Sequence, residues 1–284
     1  MRTVAVLGAG LMGRGIAHVA ALGGFVTHLQ DPSNAALDSA TAAIAAIVEK
    51  GVATGAIADP DAVAAQGRLT VGTSLEDAVA AADLVIEAAP EDLAIKLDTF
   101  ARVDRAAPAH AILATNTSSL SVTEMAAVTK RAPQVVGMHF FNPVHRMKLL
   151  EIVRALETSD ATLQACQAAG ERMGKECVIV RESPGFVTTR INALIGNEAF
   201  HMLQEGVASA RDIDKALKLG LNHPMGPFEL VDLVGLDTRL SILRYLHRTL
   251  GEKFRPNPLM EQYVAAGRLG RKSGRGVYDY PAKG

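Results

Sequence analysis

Short apolar runs alternate with helical patterns along the first part of the chain. Residues 3–7 have four apolar residues in a row after Thr3, which is typical of a strand buried on both faces of a sheet. A glycine-rich turn follows, then a helical pattern over residues 13–22 and a second predicted strand over 25–30. These elements predict one strand–helix–strand unit. Further strands are predicted at 68–72, 83–88, 111–115, 134–138, 149–153 and 177–180.

Helices are predicted between these strands. An alanine-rich pattern over residues 35–66, interrupted by Gly51 and by residues 55–60, predicts a helical hairpin inserted into the sheet. The four residues from Thr73 to Glu76 have the Thr-x-x-Glu spacing of a capping box and predict the start of another helix. Longer helices are predicted over 91–106 and 161–173.

The pattern changes after the segment Ser183-Pro184-Gly185. Beyond it no strand is predicted, and helical periodicity covers residues 187–204, 210–219, 226–233 and 237–250. We therefore predict two domains: an α/β domain over residues 1–183, with a doubly wound and mostly parallel sheet, and an all-helical domain over residues 184–284.

Composition narrows the possible functions. Lys plus Arg (29) and Asp plus Glu (30) nearly cancel, so the surface as a whole has no net attraction for nucleic acid or an anionic membrane. No apolar run is long enough to span a bilayer. The two cysteines, Cys166 and Cys177, form no Cys-x-x-Cys motif, and no histidine cluster has the spacing of metal ligands. We expect a cytoplasmic protein with reduced thiols and no metal site.

The turn after the first strand carries a Gly-x-Gly-x-x-Gly motif. The segment Gly8-Ala9-Gly10-Leu11-Met12-Gly13 follows a predicted strand and opens a predicted helix, which is the context that the motif requires. The first glycine permits the tight turn, the second lets the main chain approach a pyrophosphate, and the third allows close helix–strand packing. N–H groups at the helix N-terminus can bind the phosphates. The motif, including Leu11 and Met12, predicts a dinucleotide site in a Rossmann-type fold.

An acidic residue ends the second predicted strand. Asp31 lies 18 residues after Gly13, where a carboxylate can accept hydrogen bonds from the ribose hydroxyls of the cofactor and repel a 2′-phosphate. NAD is therefore predicted as the cofactor rather than NADP. Asp31 can also cap the helix that begins after Pro32, and the two roles are compatible.

Polar side chains follow two further predicted strands, at the edge of the sheet where ligands bind in such folds. Ser118 and His139 each lie just past the C-terminal end of one of these strands. Because imidazole titrates near neutrality, His139 can take the proton of a hydroxyl group while a hydride leaves the same carbon for a nicotinamide. If the next strand folds back beside His139, Glu151 can orient the ring and stabilise its imidazolium form. Ser118 can donate a hydrogen bond to the substrate oxygen.

These segments resemble the L-3-hydroxyacyl-CoA dehydrogenases, and in particular the short-chain 3-hydroxybutyryl-CoA members of that family. The resemblance runs from the first strand to Tyr280. It rests on the glycine motif and on Asn116 to Leu120, His139 to Val144, Leu150-Glu151, Pro184 to Val187, His223 to Leu230 and Val234 to Thr238. It implies an enzyme that interconverts (S)-3-hydroxyacyl-CoA and 3-oxoacyl-CoA with NAD. By this resemblance His139 is the catalytic base, Glu151 orients it, and Ser118 binds the reacting oxygen.

The resemblance also implies which residues surround the ligands. Those expected near the nicotinamide side of the cofactor are Glu91, Lys96, Asn116 and Asn142. A substrate contact is expected at Thr189, where many family members carry asparagine, and this difference concerns substrate or rate rather than reaction class. Lys50 is a candidate contact for the phosphates of coenzyme A, or a solvated surface residue. Since family members are typically dimers through the helical domain, we expect a homodimer.

Two other functions remain open. The first is a dehydrogenase of the same superfamily that acts on a hydroxy acid without coenzyme A, such as a sugar acid or carnitine, which Thr189 permits. The second is a dinucleotide-binding protein without turnover. That second function gives no reason for Ser118, His139 and Glu151 to occur together.

Overall fold

The computed structural model describes residues 1–281, and these form two compact units. The first unit covers Met1–Glu182, and the second begins at Ser183. Each unit has a cluster of buried hydrophobic side chains of its own. Within the described residues, no helix has both the length and the apolar character needed to cross a membrane.

The first unit contains one sheet of eight strands in the order β3-β2-β1-β4-β5-β6-β7-β8. The strands are β1 (Thr3–Leu7), β2 (Val26–Gln30), β3 (Leu69–Gly72), β4 (Leu84–Glu87), β5 (Ile112–Thr115), β6 (Val135–Phe140), β7 (Leu149–Arg154) and β8 (Glu176–Arg181). Every strand predicted from the sequence is present, with ends shifted by at most two residues.

The sheet is parallel except at one pairing. Strands β6 and β7 pair antiparallel, whereas the other six neighbouring pairs are parallel. The chain builds outward from β1 to β3 and then continues with β4 on the other side of β1. Such a reversal of strand order creates the crevice in which doubly wound sheets bind dinucleotides. The predicted Rossmann-type fold with a mostly parallel sheet is confirmed.

The helices of the first unit are α1 (Leu11–Leu22), α2 (Asn34–Ala53), α3 (Asp59–Arg68), α4 (Leu75–Val79), α5 (Leu93–Ala106), α6 (Val122–Ala127) and α7 (Asp160–Arg172). Helices α2 and α3 are the predicted hairpin. The capping box predicted from Thr73 is wrong by one residue, because Ser74 is the N-cap and its hydroxyl accepts the N–H of Asp77. Helix α6 is absent from the predicted elements, although Ser121 caps it with Glu124 three residues later.

Burial on both faces explains the unbroken apolar runs of the central strands. In β1, Val4 and Val6 point to one face while Ala5 and Leu7 point to the other, and all four are buried. Val4 and Val6 belong to the same hydrophobic cluster as Ile16 of α1. Polar side chains are therefore placed where the strands end, which concentrates the chemistry of the unit at one edge.

The second unit is built from helices α8 (Thr188–Gln204), α9 (Ala210–Gly220), α10 (Pro227–Val234), α11 (Leu236–Leu250) and α12 (Pro258–Ala265). Its core includes Phe200, Phe228 and Phe254, which are fully buried. Helix α12 is absent from the predicted elements. Its start nevertheless has the usual pattern, since the Asn257 side chain accepts the N–H of Leu259 and a proline follows the cap.

The C-terminal tail is held to the helices by two buried carboxylates. Asp232 of α10 accepts the N–H groups of Val277 and Tyr278 at 2.8 and 2.9 Å and the hydroxyl of Tyr280 at 2.9 Å. Asp214 of α9 accepts the hydroxyl of Tyr278 at 2.7 Å. Burial comes first among the causes that raise the pKa of Tyr280 to about 12, and the bond to Asp232 comes second, so this phenol stays protonated as a donor.

Candidate active site

The glycine motif between β1 and α1 has two positions fixed by packing and one that is not. Gly8 has φ +100°, and a Cβ there would lie 2.7 Å from the carbonyl oxygen of Ala88. A Cβ on Gly13 would lie 1.7 Å from the carbonyl oxygen of Gly8. At Gly10 a Cβ would meet nothing within 4 Å, so the protein itself does not require glycine there. Open space at this position fits a ligand that approaches the main chain closely.

The N-terminus of α1 is suited to an anionic group. Gly10 is its N-cap, and no side chain caps the helix. Its first turn therefore offers main-chain N–H groups and the positive end of a 12-residue helix. Leu11 is exposed and Met12 half-buried at this turn. These features fit the pyrophosphate of a dinucleotide.

Asp31 lies at the end of β2 beside the same loop. One carboxylate oxygen accepts the N–H of Ala9 at 2.9 Å, and the other accepts the N–H of Ser33 at 2.9 Å. The side chain that caps α2 is Ser33, not Asp31. Because each carboxylate oxygen can accept a second hydrogen bond, Asp31 retains acceptors for ribose hydroxyls while holding the loop in place.

A buried histidine–glutamate pair spans β6 and β7. His139 and Glu151 are directly opposite in the antiparallel register, with His139 Nδ1 2.8 Å from Glu151 Oε2. Their residues are 6% and 1% exposed. Since a carboxylate can only accept, Nδ1 carries the proton and Nε2 is the basic nitrogen. The ring of Phe141 lies 4.3 Å from the imidazole, centroid to centroid. Strand β7 folds back beside His139, which is the condition under which the sequence gives Glu151 its role.

Ser118 lies after β5 and is held by Glu91. One oxygen of Glu91, Oε1, accepts the Ser118 N–H at 2.9 Å, the Ser118 hydroxyl at 3.2 Å and the Thr117 hydroxyl at 2.6 Å. The Glu91 side chain is 41% exposed. Glu91 follows β4, so the carboxyl ends of two neighbouring parallel strands bring these residues together.

Behind Glu91 lies a buried ion pair. Lys96 Nζ is 2.7 Å from Glu87 Oε1 and 3.4 Å from Glu91 Oε2. Glu87 also accepts the Thr115 hydroxyl at 2.7 Å and the Ala89 N–H at 2.7 Å. Glu87 and Thr115 are not among the residues predicted from the sequence. The feature of the sequence that could have identified Glu87 is a single carboxylate in an otherwise apolar strand, Leu84–Glu87, where every residue is buried.

Asn116 and Asn142 take different positions. The Asn116 side-chain oxygen accepts the N–H of Phe140 at 2.9 Å, which connects the ends of β5 and β6. Asn142 is exposed on the segment that leaves β6. Both lie at the edge of the sheet that carries His139, although a contact with the cofactor stays a prediction.

The two predicted substrate contacts lie on helices in different units. Lys50 is exposed in the last turn of α2 in the first unit. Thr189 is half-buried in the first turn of α8 in the second unit. Their part in substrate binding stays a prediction.

Family models account for nearly the whole chain. Residues 3–183 match the NAD binding domain of 3-hydroxyacyl-CoA dehydrogenase, and residues 185–280 match its C-terminal domain. The chain belongs to the 3-hydroxyacyl-CoA dehydrogenase family. Its first unit is thus an NAD-binding domain, and the family and cofactor predicted from the sequence are confirmed.

Relatives of this dehydrogenase are similar over their full lengths. A probable 3-hydroxybutyryl-CoA dehydrogenase of Bacillus subtilis is 45% identical over 284 residues, which is 100% of this chain and 99% of that protein. A 3-hydroxybutyryl-CoA dehydrogenase of Bradyrhizobium diazoefficiens is 43% identical over 99% of this chain and 96% of its own. The crystal structure of (S)-3-hydroxybutyryl-CoA dehydrogenase from Ralstonia eutropha matches with a TM-score of 0.95 and 44% identity, covering 99% of this chain and 100% of that one.

Proposed function

We propose that this protein interconverts (S)-3-hydroxybutyryl-CoA and acetoacetyl-CoA with NAD and NADH. The observation that carries the proposal is the buried His139–Glu151 pair, at 2.8 Å, at the ligand-binding edge of an NAD-binding sheet. The names of the relatives support the short-chain substrate. A non-catalytic binding protein would have no use for a buried carboxylate that holds an imidazole.

The acid–base chemistry belongs to His139 and Glu151. His139 Nε2 accepts the proton of the substrate hydroxyl, and the ring becomes an imidazolium ion. The Glu151 carboxylate, already bonded to Nδ1, stabilises that charge inside a buried site where screening by water is weak. NAD held by the glycine motif and Asp31 would supply the acceptor for the hydride of the carbon that carries the hydroxyl group. In the reverse direction the imidazolium returns its proton to the substrate oxygen.

Other residues bind and orient the ligands. The glycine motif and Asp31 hold the pyrophosphate and ribose, and Glu91, Lys96, Asn116 and Asn142 surround the nicotinamide end. Ser118 donates a hydrogen bond to the reacting oxygen. Lys50 and Thr189 belong to the substrate site in this proposal, with Thr189 in the position where an asparagine is common.

We further propose a homodimer that works in the cytoplasm. The helical unit exposes large apolar side chains, including Val207, Leu219 and Leu221, which are 64%, 76% and 66% exposed. Apolar exposure of this kind supports an interface between subunits. The near-neutral charge and the two free thiols support an intracellular location.

The deciding measurement is the loss of NADH absorbance with purified protein and acetoacetyl-CoA, run in parallel with NADPH. We expect rapid oxidation of NADH and a rate with NADPH at least about tenfold lower, because Asp31 repels a 2′-phosphate. Absence of oxidation in protein that binds NADH would overturn the CoA substrate and favour a hydroxy acid without coenzyme A. Equal rates with both cofactors would remove Asp31 from the choice of cofactor.

A further inference from the structure

Glu87 is a buried carboxylate with no part in the chemistry described above. It is 1% exposed, as is Lys96, and the two form an ion pair at 2.7 Å inside the sheet unit. Such pairs contribute little net stability, because the loss of hydration offsets most of the attraction. A buried pair one contact away from the proposed site therefore calls for a reason other than stability.

The hydrogen-bond partners of Glu87 and Lys96 show which residues the pair can hold in position. Thr115 and the Ala89 N–H fix the Glu87 carboxylate, so its position is set by the ends of β4 and β5. Lys96 has three donors, and they meet Glu87 Oε1 at 2.7 Å, the Ala89 carbonyl at 3.4 Å and Glu91 Oε2 at 3.4 Å. Of the residues that supply these partners, Glu87 is buried, Ala89 is half-buried, and Glu91, which faces Ser118, is the exposed one.

We propose that Glu87 is a positioning residue that acts through Lys96 and Glu91 on Ser118. Glu87, Lys96 and Glu91 are called the Glu87 cluster below. Lys96 anchors one oxygen of Glu91, which leaves the other oxygen aimed at the turn that carries Ser118. This inference rests on the proposed function, because it gives Ser118 the task of binding the reacting oxygen.

The hydrogen bonds of Ser118 define what the cluster does. Its hydroxyl has one proton, which it donates to Glu91 at 3.2 Å. To donate to a substrate oxygen, the hydroxyl must turn away from Glu91. The Ser118 N–H, at 2.9 Å from the same oxygen, keeps the residue in place during that turn. Glu91 thus anchors the main chain of Ser118 and releases its hydroxyl to the substrate.

The test removes the ion pair without leaving a buried charge unpaired. The double variant Glu87→Gln/Lys96→Met keeps the length of the first side chain, shortens the second by one atom, and takes away the cation that anchors Glu91. The matched control is Glu76→Gln/Arg102→Met, which removes an exposed ion pair of 2.9 Å whose arginine lies on the same helix as Lys96. Both are compared with the parent enzyme and with Ser118→Ala, and the Glu87 cluster change is also combined with Ser118→Ala.

We expect Ser118→Ala to lower kcat for acetoacetyl-CoA reduction by about 100- to 1,000-fold, as for the loss of one donor to a developing oxyanion. The Glu87 cluster variant is expected to lower kcat by about tenfold at saturating NADH, a condition that separates the effect on Ser118 from the loss of Lys96 at the nicotinamide end. In the combined variant, kcat should equal that of Ser118→Ala alone, because the two changes act through one hydroxyl. The control is expected to match the parent.

Independent effects in the combined variant would overturn the inference, and so would a fall in rate that saturating NADH restores. Crystal structures of the parent and the cluster variant supply a readout that needs no turnover. The inference predicts that Glu91 leaves the Ser118 N–H in the variant, and an unchanged contact there would refute it. A parent without turnover that shows the predicted movement would refute the proposed function and leave the positioning role supported.

Discussion

His139 and Glu151 are a pair in which each side chain needs the other. Glu151 is 1% exposed, and an ionised carboxylate in that position is costly unless it is hydrogen-bonded. His139 gains a fixed ring orientation and a defined tautomer from the same bond. Substitutions that remove one partner completely therefore mix effects on folding with effects on rate, whereas an amide in place of the carboxylate separates them.

Glu151→Gln is predicted to lower kcat by about 100-fold or more, because an amide can accept the Nδ1–H but cannot stabilise the imidazolium charge. The exposed Glu176→Gln on β8 is the matched control and should retain the parent rate. His139→Ala should abolish most turnover. The measurements are NADH oxidation, NADH binding by fluorescence and thermal unfolding, and a Glu151→Gln enzyme with the parent rate would exclude Glu151 from the chemistry.

At the residue scale, functional side chains at the ends of strands can be predicted from the sequence. Residues whose role depends on a partner on another element cannot. Ser118 and His139 could be found because each follows or ends an apolar strand, where ligands bind. Glu87 could not be given a role, because its partner Lys96 lies on the next helix and its other partner, Thr115, on the next strand. A charge in an apolar strand shows that a partner exists but does not identify it.

The turn between β1 and α1 is an element in which the three glycines do different work. Gly13 is required by the close approach of α1 to the carbonyl of Gly8, which a Cβ would meet at 1.7 Å. Gly10 has open space around the missing side chain. The same substitution at the two positions therefore separates packing from ligand binding.

Gly10→Ala is predicted to have the same melting temperature as the parent. It should bind NADH at least about tenfold more weakly, since the methyl group occupies the approach to the pyrophosphate. Gly13→Ala is predicted to lower the melting temperature or to prevent folding, because the helix must move away from the strand. Thermal unfolding and NADH titration measure the two effects. A Gly10→Ala protein with parent affinity would show that the loop does not contact the cofactor.

At the element scale, the long periodic segments are all predicted, and the short ones only in part. All eight strands and the long helices α1, α2, α5 and α7 follow from their patterns. The eight-residue α10 is also predicted, whereas α6, with six residues, and α12, with eight, are missed because a period of 3.6 repeats only about twice in each. Their caps, Ser121 and Asn257, were the better guide. The antiparallel direction of β7 also cannot be predicted from the local sequence pattern, because the direction of a strand depends on how it pairs within the sheet.

At the scale of the whole molecule, the chain closes its second unit with its own tail. Asp232 and Asp214 are 1% and 2% exposed, and tail groups supply four of the hydrogen bonds that satisfy them. Without those donors, two carboxylates would be buried with fewer partners than they need. The C-terminal tail thus contributes to the stability of α9 and α10, which precede it in the chain by dozens of residues.

A chain that ends at residue 276 is predicted to melt at least about 5 °C below the parent, since several charge-assisted hydrogen bonds are lost. The matched control ends at residue 281 and retains Tyr278 and Tyr280, so it should melt with the parent. Differential scanning calorimetry measures both. Equal melting temperatures for the two truncated chains would mean that the tail does not stabilise the unit.

Some predictions from the sequence concern contacts with a second subunit or a substrate, and only a complex with that molecule can test them. The family, the Rossmann-type sheet and NAD follow from motifs that are local in the chain, such as the glycine turn before α1. Dimerisation and the part of Thr189 in substrate selection depend on surfaces that meet only when another molecule is present. For that reason they stay predictions, whereas the fold does not.

The register of β6 and β7 constrains how the sequence of this enzyme can evolve. His139 faces Glu151 through main-chain pairing, and residues 141–148, which include Asn142, connect the two strands. Insertions or deletions in that connection leave the distance between imidazole and carboxylate untouched, so the mouth of the site can diversify while its acid–base pair is inherited intact. A slip of the pairing by one residue would turn Glu151 to the opposite face of the sheet, and such variants would be eliminated at once.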